Sequence, residues 1–287
     1  MEVNDKRVYG VLMGLLGLLT ITGYSLLFVI FAKRPDLKKK NKFLLSLATS
    51  DLLITVHVFA STIAAFAPQW PFGDLGCQVD AFIGMAPTFI SIAGAALIAK
   101  DKYYRFCKPK MVGRNYSFHV YLTWTMGIIG GALPFIGFGR YGFETDDVTW
   151  RTGCLLDFKS ISAKYSFYII LISTVWFVWP VYKLVSSYMK ISTKINKFYP
   201  LLFVVPVQMA IGLLPYAIYA MVSITIGVSA VPYFCVVINN LAAKVFVGSN
   251  PFIYIYFDPE LRESCKQIFC SPPAPTNDKI SEDSKDE

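Results

Sequence analysis

The sequence predicts an all-α membrane protein built as a bundle of seven membrane-spanning helices. Three observations carry that reading: composition, apolar run length and the placement of basic residues. Of 287 residues, 55% are hydrophobic and only 16% are charged, against about 25% charged in a typical soluble domain. Apolar stretches recur at 8–32, 43–66, 80–99, 116–138, 165–189, 198–224 and 231–257. Each approaches or exceeds the roughly 20 residues an α-helix needs to cross the bilayer core.

The first run is too long for a signal-peptide core and no small-residue cleavage site follows it, so it reads as a retained span. The second carries Asp51 near its centre, and the third opens just after Cys77. Pro134, Pro180, Pro215 and Pro251 fall in or near the ends of the fourth to seventh runs. Spans tolerate prolines because neighbouring helices and waters satisfy the freed carbonyls. The seventh run holds Lys244.

Lysine and arginine collect on alternate links. The stretch "KRPDLKKKNK" (33–42) holds six, 100–114 holds six, and the fifth link with the tail after Phe257 holds seven. The other side has Lys6 and Arg7, four between Arg140 and Lys164, and none at 67–76 or 225–235. The positive-inside rule then places the N-terminus outside and the C-terminus in the cytosol. The net charge of +8 is thus a topology signal, and nucleic acid is not an expected partner; the lipid bilayer is. Cys77 and Cys154 fall on the outer side, where an oxidised pair can persist. Cys107 faces the reducing cytosol, and Cys265 and Cys270 follow the last span on a basic segment suited to palmitate. The sequon Asn115-Tyr116-Ser117 falls on the cytosolic side and is expected to go unused.

Lys244 lies about 13 residues from either end of its run, or roughly 20 Å. A lysine stem cannot snorkel that far, and a mid-bilayer charge costs roughly 2.5–3.5 kcal/mol on insertion scales. Such a lysine is pushed towards the neutral amine, a nucleophile for an aldehyde. A lysine paired in a polar network or lining a transport path is the alternative.

Asp51, Trp124, "DKY" (101–103), "LLPYA" (213–217) and "NPFIY" (250–254), each in its span, resemble the rhodopsin-like family of seven-helix receptors. The resemblance runs from about residue 20 to Cys270 and implies a short cytosolic eighth helix. Within that family the opsins keep a lysine six residues before the Asn-Pro pair, as Lys244 stands before Asn250 and Pro251. The resemblance therefore implies retinal bound to Lys244 as a protonated Schiff base, and a Cys77–Cys154 disulfide. Such a charge needs an anion. Asp80, three residues after Cys77, matches the counterion glutamate of vertebrate visual opsins. Glu144 resembles the outer-loop glutamate that serves retinochrome, although four extra residues separate it from Cys154. Asp80 is preferred, since a helix fixes a side chain better than a loop. Thr88, Trp176, Phe177, Leu213 and Tyr216 are expected to face the chromophore. Asp51, Ser91, Asn250 and Tyr254 are expected to form a polar network for helix rearrangement, and Tyr188 belongs with them on the signalling face.

Four departures bear on output. Asp101-Lys102-Tyr103 replaces the usual acid-arginine-tyrosine triplet, and an ammonium does not substitute for a guanidinium fork. Leu213 stands where the family has a tryptophan. The helix-one asparagine falls on Tyr24 or Ser25, and the link from Met189 to Lys197 is short. Together these resemble the RGR, retinochrome and peropsin group, implying a light-driven photoisomerase that takes all-trans-retinal to the 11-cis form. Retinoid-binding proteins are then expected partners, in an intracellular or plasma membrane of photoreceptor-associated cells. The alternative is a signalling opsin that recruits a G protein through Tyr188, Asn250 and Tyr254, with a weakened face. A receptor for a soluble ligand, or a small transporter, stands third. Residues 1–270 read as the membrane domain and 271–287 as a disordered cytosolic tail.

Overall fold

A computed structural model of the chain describes residues 3–113, 115–143, 151–158, 162–195, 200–227 and 233–269. Seven of its helices are long and apolar enough to cross a membrane. α1 (Val3–Lys33) is followed by the short α2 (Pro35–Lys40) and by α3 (Lys42–Phe66) and α4 (Gly73–Cys107). α5 (Tyr116–Ala132) gives way to a tight 3-10 turn at Leu133–Ile136, where Pro134 cannot continue the ladder. One long span then comprises α6 (Ala163–Ile172), a wider turn at Ser173–Val178 and α7 (Trp179–Ile195). α8 (Pro200–Thr225), α9 (Tyr233–Phe257) and α10 (Pro259–Phe269) complete the chain. α10 is the expected eighth helix, while the tail with Cys270 lies outside the described residues. The end carrying Cys77 is called the disulfide end below, and the end carrying α2 and α10 the basic end.

Helix boundaries differ from the apolar runs where polar residues stay helical. α4 begins at Gly73, so Asp80 sits two turns inside it and is buried. The wider turn has a local cause. Pro180 has no N–H to offer Trp176, and the preceding Trp179 N–H reaches back five residues to the Thr174 carbonyl. That turn directs Trp176 into the bundle, where it lies 5.4 Å from the Phe89 ring.

Lipid supplies no hydrophobic drive between helices, so close packing of small residues holds the spans together. A Cβ on Gly131 would lie 2.6 Å from that of Ala86, and one on Gly130 would lie 2.8 Å from the Trp176 ring. Between α8 and α9, a Cβ on Gly212 would stand 2.3 Å from Phe246 Cβ. Gly212→Val is therefore expected to part these helices and cost about 1–3 kcal/mol or more. A fall in thermal midpoint checks it, with lipid-facing Ile211→Val expected to be near neutral.

β1 (Tyr141–Phe143) and β2 (Cys154–Leu156) form an antiparallel hairpin over the disulfide end, with Phe143 opposite Cys154. A disulfide joins Cys154 to Cys77 of α4, and all three β2 residues are buried. The Tyr141 hydroxyl donates to the Gly131 carbonyl at 2.6 Å. Burial pushes that phenol well up, so it stays a donor. An Arg140–Asp157 ion pair at 2.6 Å closes the strand ends. The hairpin is thus fastened to α4 by a covalent bond and to α5 by a hydrogen bond.

Candidate functional site

Lys244 comes from the middle of α9 and is buried, 7% exposed. Asp80 on α4 is equally buried, at 6%. Counted from the disulfide end of each helix, Asp80 lies seven residues in and Lys244 eleven, or roughly 10 and 16 Å down. Both Asp80 oxygens are engaged. Oδ1 lies 2.8 Å from His57 Nδ1 of α3, and Oδ2 accepts the Cys154 N–H of β2 at 3.0 Å. His57 is not among the residues that the sequence pattern singles out. The signal was a polar ring at mid-span, which membrane helices rarely carry without a partner. Glu144 lies outside the described residues.

The expected chromophore contacts divide between two apolar clusters. Trp176 is buried in the disulfide-end cluster with Met85, Phe89, Leu156 and Tyr219, and Tyr216 packs against it. Leu213 belongs to the cluster running to the basic end, and Phe177 packs against that one. Thr88 is half-buried, its hydroxyl turned to the Gly84 carbonyl at 2.6 Å on its own helix. A cleft of about 1020 Å³ lies elsewhere, lined by Tyr103, Cys107, Phe177 and Met189 among others. It borders the lipid-facing side of α7 and does not include Lys244.

Towards the basic end, Asp51 is fully buried. Its Oδ2 accepts Asn250 Nδ2 at 2.8 Å and the Tyr24 hydroxyl. Ser91 is buried beside the same carboxylate without meeting hydrogen-bond geometry. Tyr24 thus fills the place of the missing helix-one asparagine and does not weaken the network. Pro251 and Tyr254 are buried in the adjoining turn of α9, and Tyr188 is buried on α7. Gln208 of α8, missed in the sequence, lies within 2.8 Å of the Phe246 carbonyl and Ser249 Oγ and 3.0 Å of Asn250 Oδ1. Its two amide hydrogens serve three acceptors and tie α8 to α9.

The triplet on α4 makes local and distant bonds. Asp101 accepts Arg105 Nε at 2.7 Å and the Tyr116 hydroxyl. Lys102 forms an ion pair with Asp258, whose Oδ1 also accepts the Glu260 N–H at 3.1 Å as α10 begins. Tyr103 lies beneath the Lys190 ammonium, 5.9 Å from ring centre to nitrogen. α10 is further held by Arg34 on Ser264 at 3.1 Å and Lys40 on Glu260 at 3.2 Å. Cys265 is half-buried on that helix. Asp258→Asn keeps a capping oxygen but removes the charge facing Lys102. It is expected to cost about 1.5–3 kcal/mol locally, read as faster amide exchange in α10.

Residues 24–254 match the profile of the 7 transmembrane receptor (rhodopsin family). The chain belongs to that family. The human RPE-retinal G protein-coupled receptor is 27% identical over 244 residues, covering 83% of this chain and 81% of its own. A Gq-coupled rhodopsin of Mizuhopecten yessoensis is 30% identical over 181 residues, covering 60% of this chain and 36% of its own. Squid rhodopsin has the same fold, with a TM-score of 0.83 at 22% identity over 94% of this chain and 86% of that one.

Proposed function

We propose that this membrane protein is an opsin that holds retinal on Lys244 as a protonated Schiff base and photoisomerises the all-trans form towards 11-cis. The observation that carries the reading is a buried lysine at mid-span, six residues before Asn250-Pro251, in a chain of the rhodopsin family. The surroundings fit such a group. Asp80 on α4 is a buried carboxylate, and an aromatic cluster beneath the hairpin suits an apolar polyene. When bound, retinal supplies the light absorption and the double bond that turns.

The protein's own residues supply the rest. Lys244 offers the amine that condenses with the aldehyde. Asp80 provides the negative charge that keeps the attached nitrogen protonated, with Glu144 as the other candidate. The hairpin keeps water out, and Trp176, Tyr216, Thr88, Phe177 and Leu213 set the shape that selects which bond rotates. Lys102 bound to Asp258 and the short link after Ile195 support a photoisomerase over strong G-protein coupling. The intact Asp51–Asn250–Tyr24 network favours the second reading, a light-sensing receptor that signals. Basic-residue bias supports a cytosolic C-terminus and with it palmitate on Cys265 and Cys270; exchange of retinoid with binding proteins outside the bundle goes with the photoisomerase reading.

Chromatography of retinal isomers, extracted from purified protein before and after illumination, tests this. Net all-trans to 11-cis conversion is expected. Robust light-dependent nucleotide exchange with 11-cis as the preferred dark ligand would instead favour the signalling receptor.

A further inference from the structure

We propose that His57 is the positioning residue for Asp80, forming with it a buried imidazole–carboxylate pair that fixes the orientation of the carboxylate read as the counterion of Lys244. The inference rests on reading Lys244 as the attachment site. It begins with the cost of Asp80 itself. An ionised carboxylate 6% exposed loses several kcal/mol of hydration unless its lone pairs are met. Two donors meet them from two different elements: His57 Nδ1 on Oδ1 at 2.8 Å and the Cys154 N–H on Oδ2 at 3.0 Å. An ionised carboxylate only accepts, so Nδ1 carries the hydrogen of this bond.

The ring packs directly on both neighbours. A Cβ on Gly84 of α4 would lie 3.4 Å from His57 Cγ, and one on Gly153 of the hairpin would lie 3.6 Å from Cε1, both ordinary contact distances. The imidazole between α4 and the hairpin is itself 3% exposed. His57 lies nine residues from the disulfide end of α3, roughly 13 Å along that helix. The Cys77–Cys154 disulfide closes the circuit, because Cys77 stands one turn above Asp80 and Cys154 supplies the second donor. Asp80 is thus held from two other elements, α3 and the hairpin, and α3 contributes through His57 alone among the bonds described.

Two arms test it, one without retinal. The chain has only two histidines, so ¹⁵N-histidine labelling of the unliganded protein in nanodiscs yields two rings, and His119→Gln leaves one. A solvent-protected, hydrogen-bonded Nδ1–H resonance is expected for His57, lost in Asp80→Ala, which leaves no acceptor. Its absence in the parent protein, or its persistence in Asp80→Ala, would overturn the proposal whatever Lys244 carries. In the second arm the retinal-loaded protein is titrated optically. Losing one hydrogen bond to a charged group should shift the ratio of visible to near-ultraviolet form by about ten- to hundred-fold in His57→Phe. His57→Asn, whose amide nitrogen can replace Nδ1, should recover most of that ratio, whereas His57→Gln, with its amide displaced, should not. Equal ratios in all three variants would sink the positioning role. If the parent protein forms no Lys244-dependent band, the opsin reading fails, and the first arm still decides the His57–Asp80 pair.

Discussion

Lys244→Ala is expected to abolish the visible absorption band of the retinal-loaded protein, while Lys110→Ala, an exposed lysine on the link after α4, leaves it intact. The argument is one of position and chemistry together. Lys244 is buried eleven residues into α9, too deep for its stem to reach either interface. A lysine kept at that depth against a cost of roughly 2.5–3.5 kcal/mol needs a reason, and a covalent attachment provides one. Alanine removes the only atom that can form the bond at that position. Its effect is therefore loss of the band, not a shift in it. Borohydride reduction of the parent protein should fix retinal to the peptide containing Lys244 and to no other. A band that survives in Lys244→Ala would end the opsin reading and return Lys244 to an ordinary polar network. The fold should survive the change, since Lys244 lies between helices that are held by Gly212, Gln208 and Asp51 contacts.

The bundle was legible because each span needs only a run of apolar residues, and bilayer thickness fixes its length. α3 over Lys42–Phe66 departs by one residue from the run at 43–66. What composition could not give was where helices continue past their apolar run. α4 carries on through Asp101-Lys102-Tyr103 because Asp101 and Lys102 find partners on Arg105, Tyr116 and Asp258. The candidate site divides in the same way. Lys244 and Asp51 stood out as charges within apolar runs. His57, Gln208 and Tyr24 did not, because each acts through a partner on another helix and residue spacing along one helix carries no trace of it. Tyr24 in particular reads as a lost asparagine in sequence and as a donor to Asp51 in space. The hairpin's role was equally hidden. A backbone N–H, that of Cys154, reaches Asp80, and no side-chain identity announces a backbone donor.

Asp80→Asn is expected to move the absorption of the retinal-loaded protein from the visible to the near ultraviolet at neutral pH. Asparagine nearly preserves volume and can still accept the Cys154 N–H, so packing of the hairpin should hold. What it removes is the negative charge. In a low-dielectric site an uncompensated positive charge is worth several kcal/mol, and each 1.4 kcal/mol is about a tenfold change in protonation. The attached nitrogen should therefore surrender its proton rather than remain charged. Small anions that can enter the site, such as chloride, should restore part of the visible band by replacing the missing charge. Persistence of the visible band in Asp80→Asn without added anion would assign the principal charge to Glu144 on the loop, and Glu144→Gln would then produce the collapse instead. The two outcomes differ in salt dependence as well as in mutant identity. A carboxylate enclosed by His57, Cys154 and the disulfide is shielded from exchange with solvent ions, so a band set by it should not respond to them. Parent protein whose band is insensitive to chloride, together with an Asp80→Asn variant whose band depends on it, is the pattern that an enclosed Asp80 charge produces.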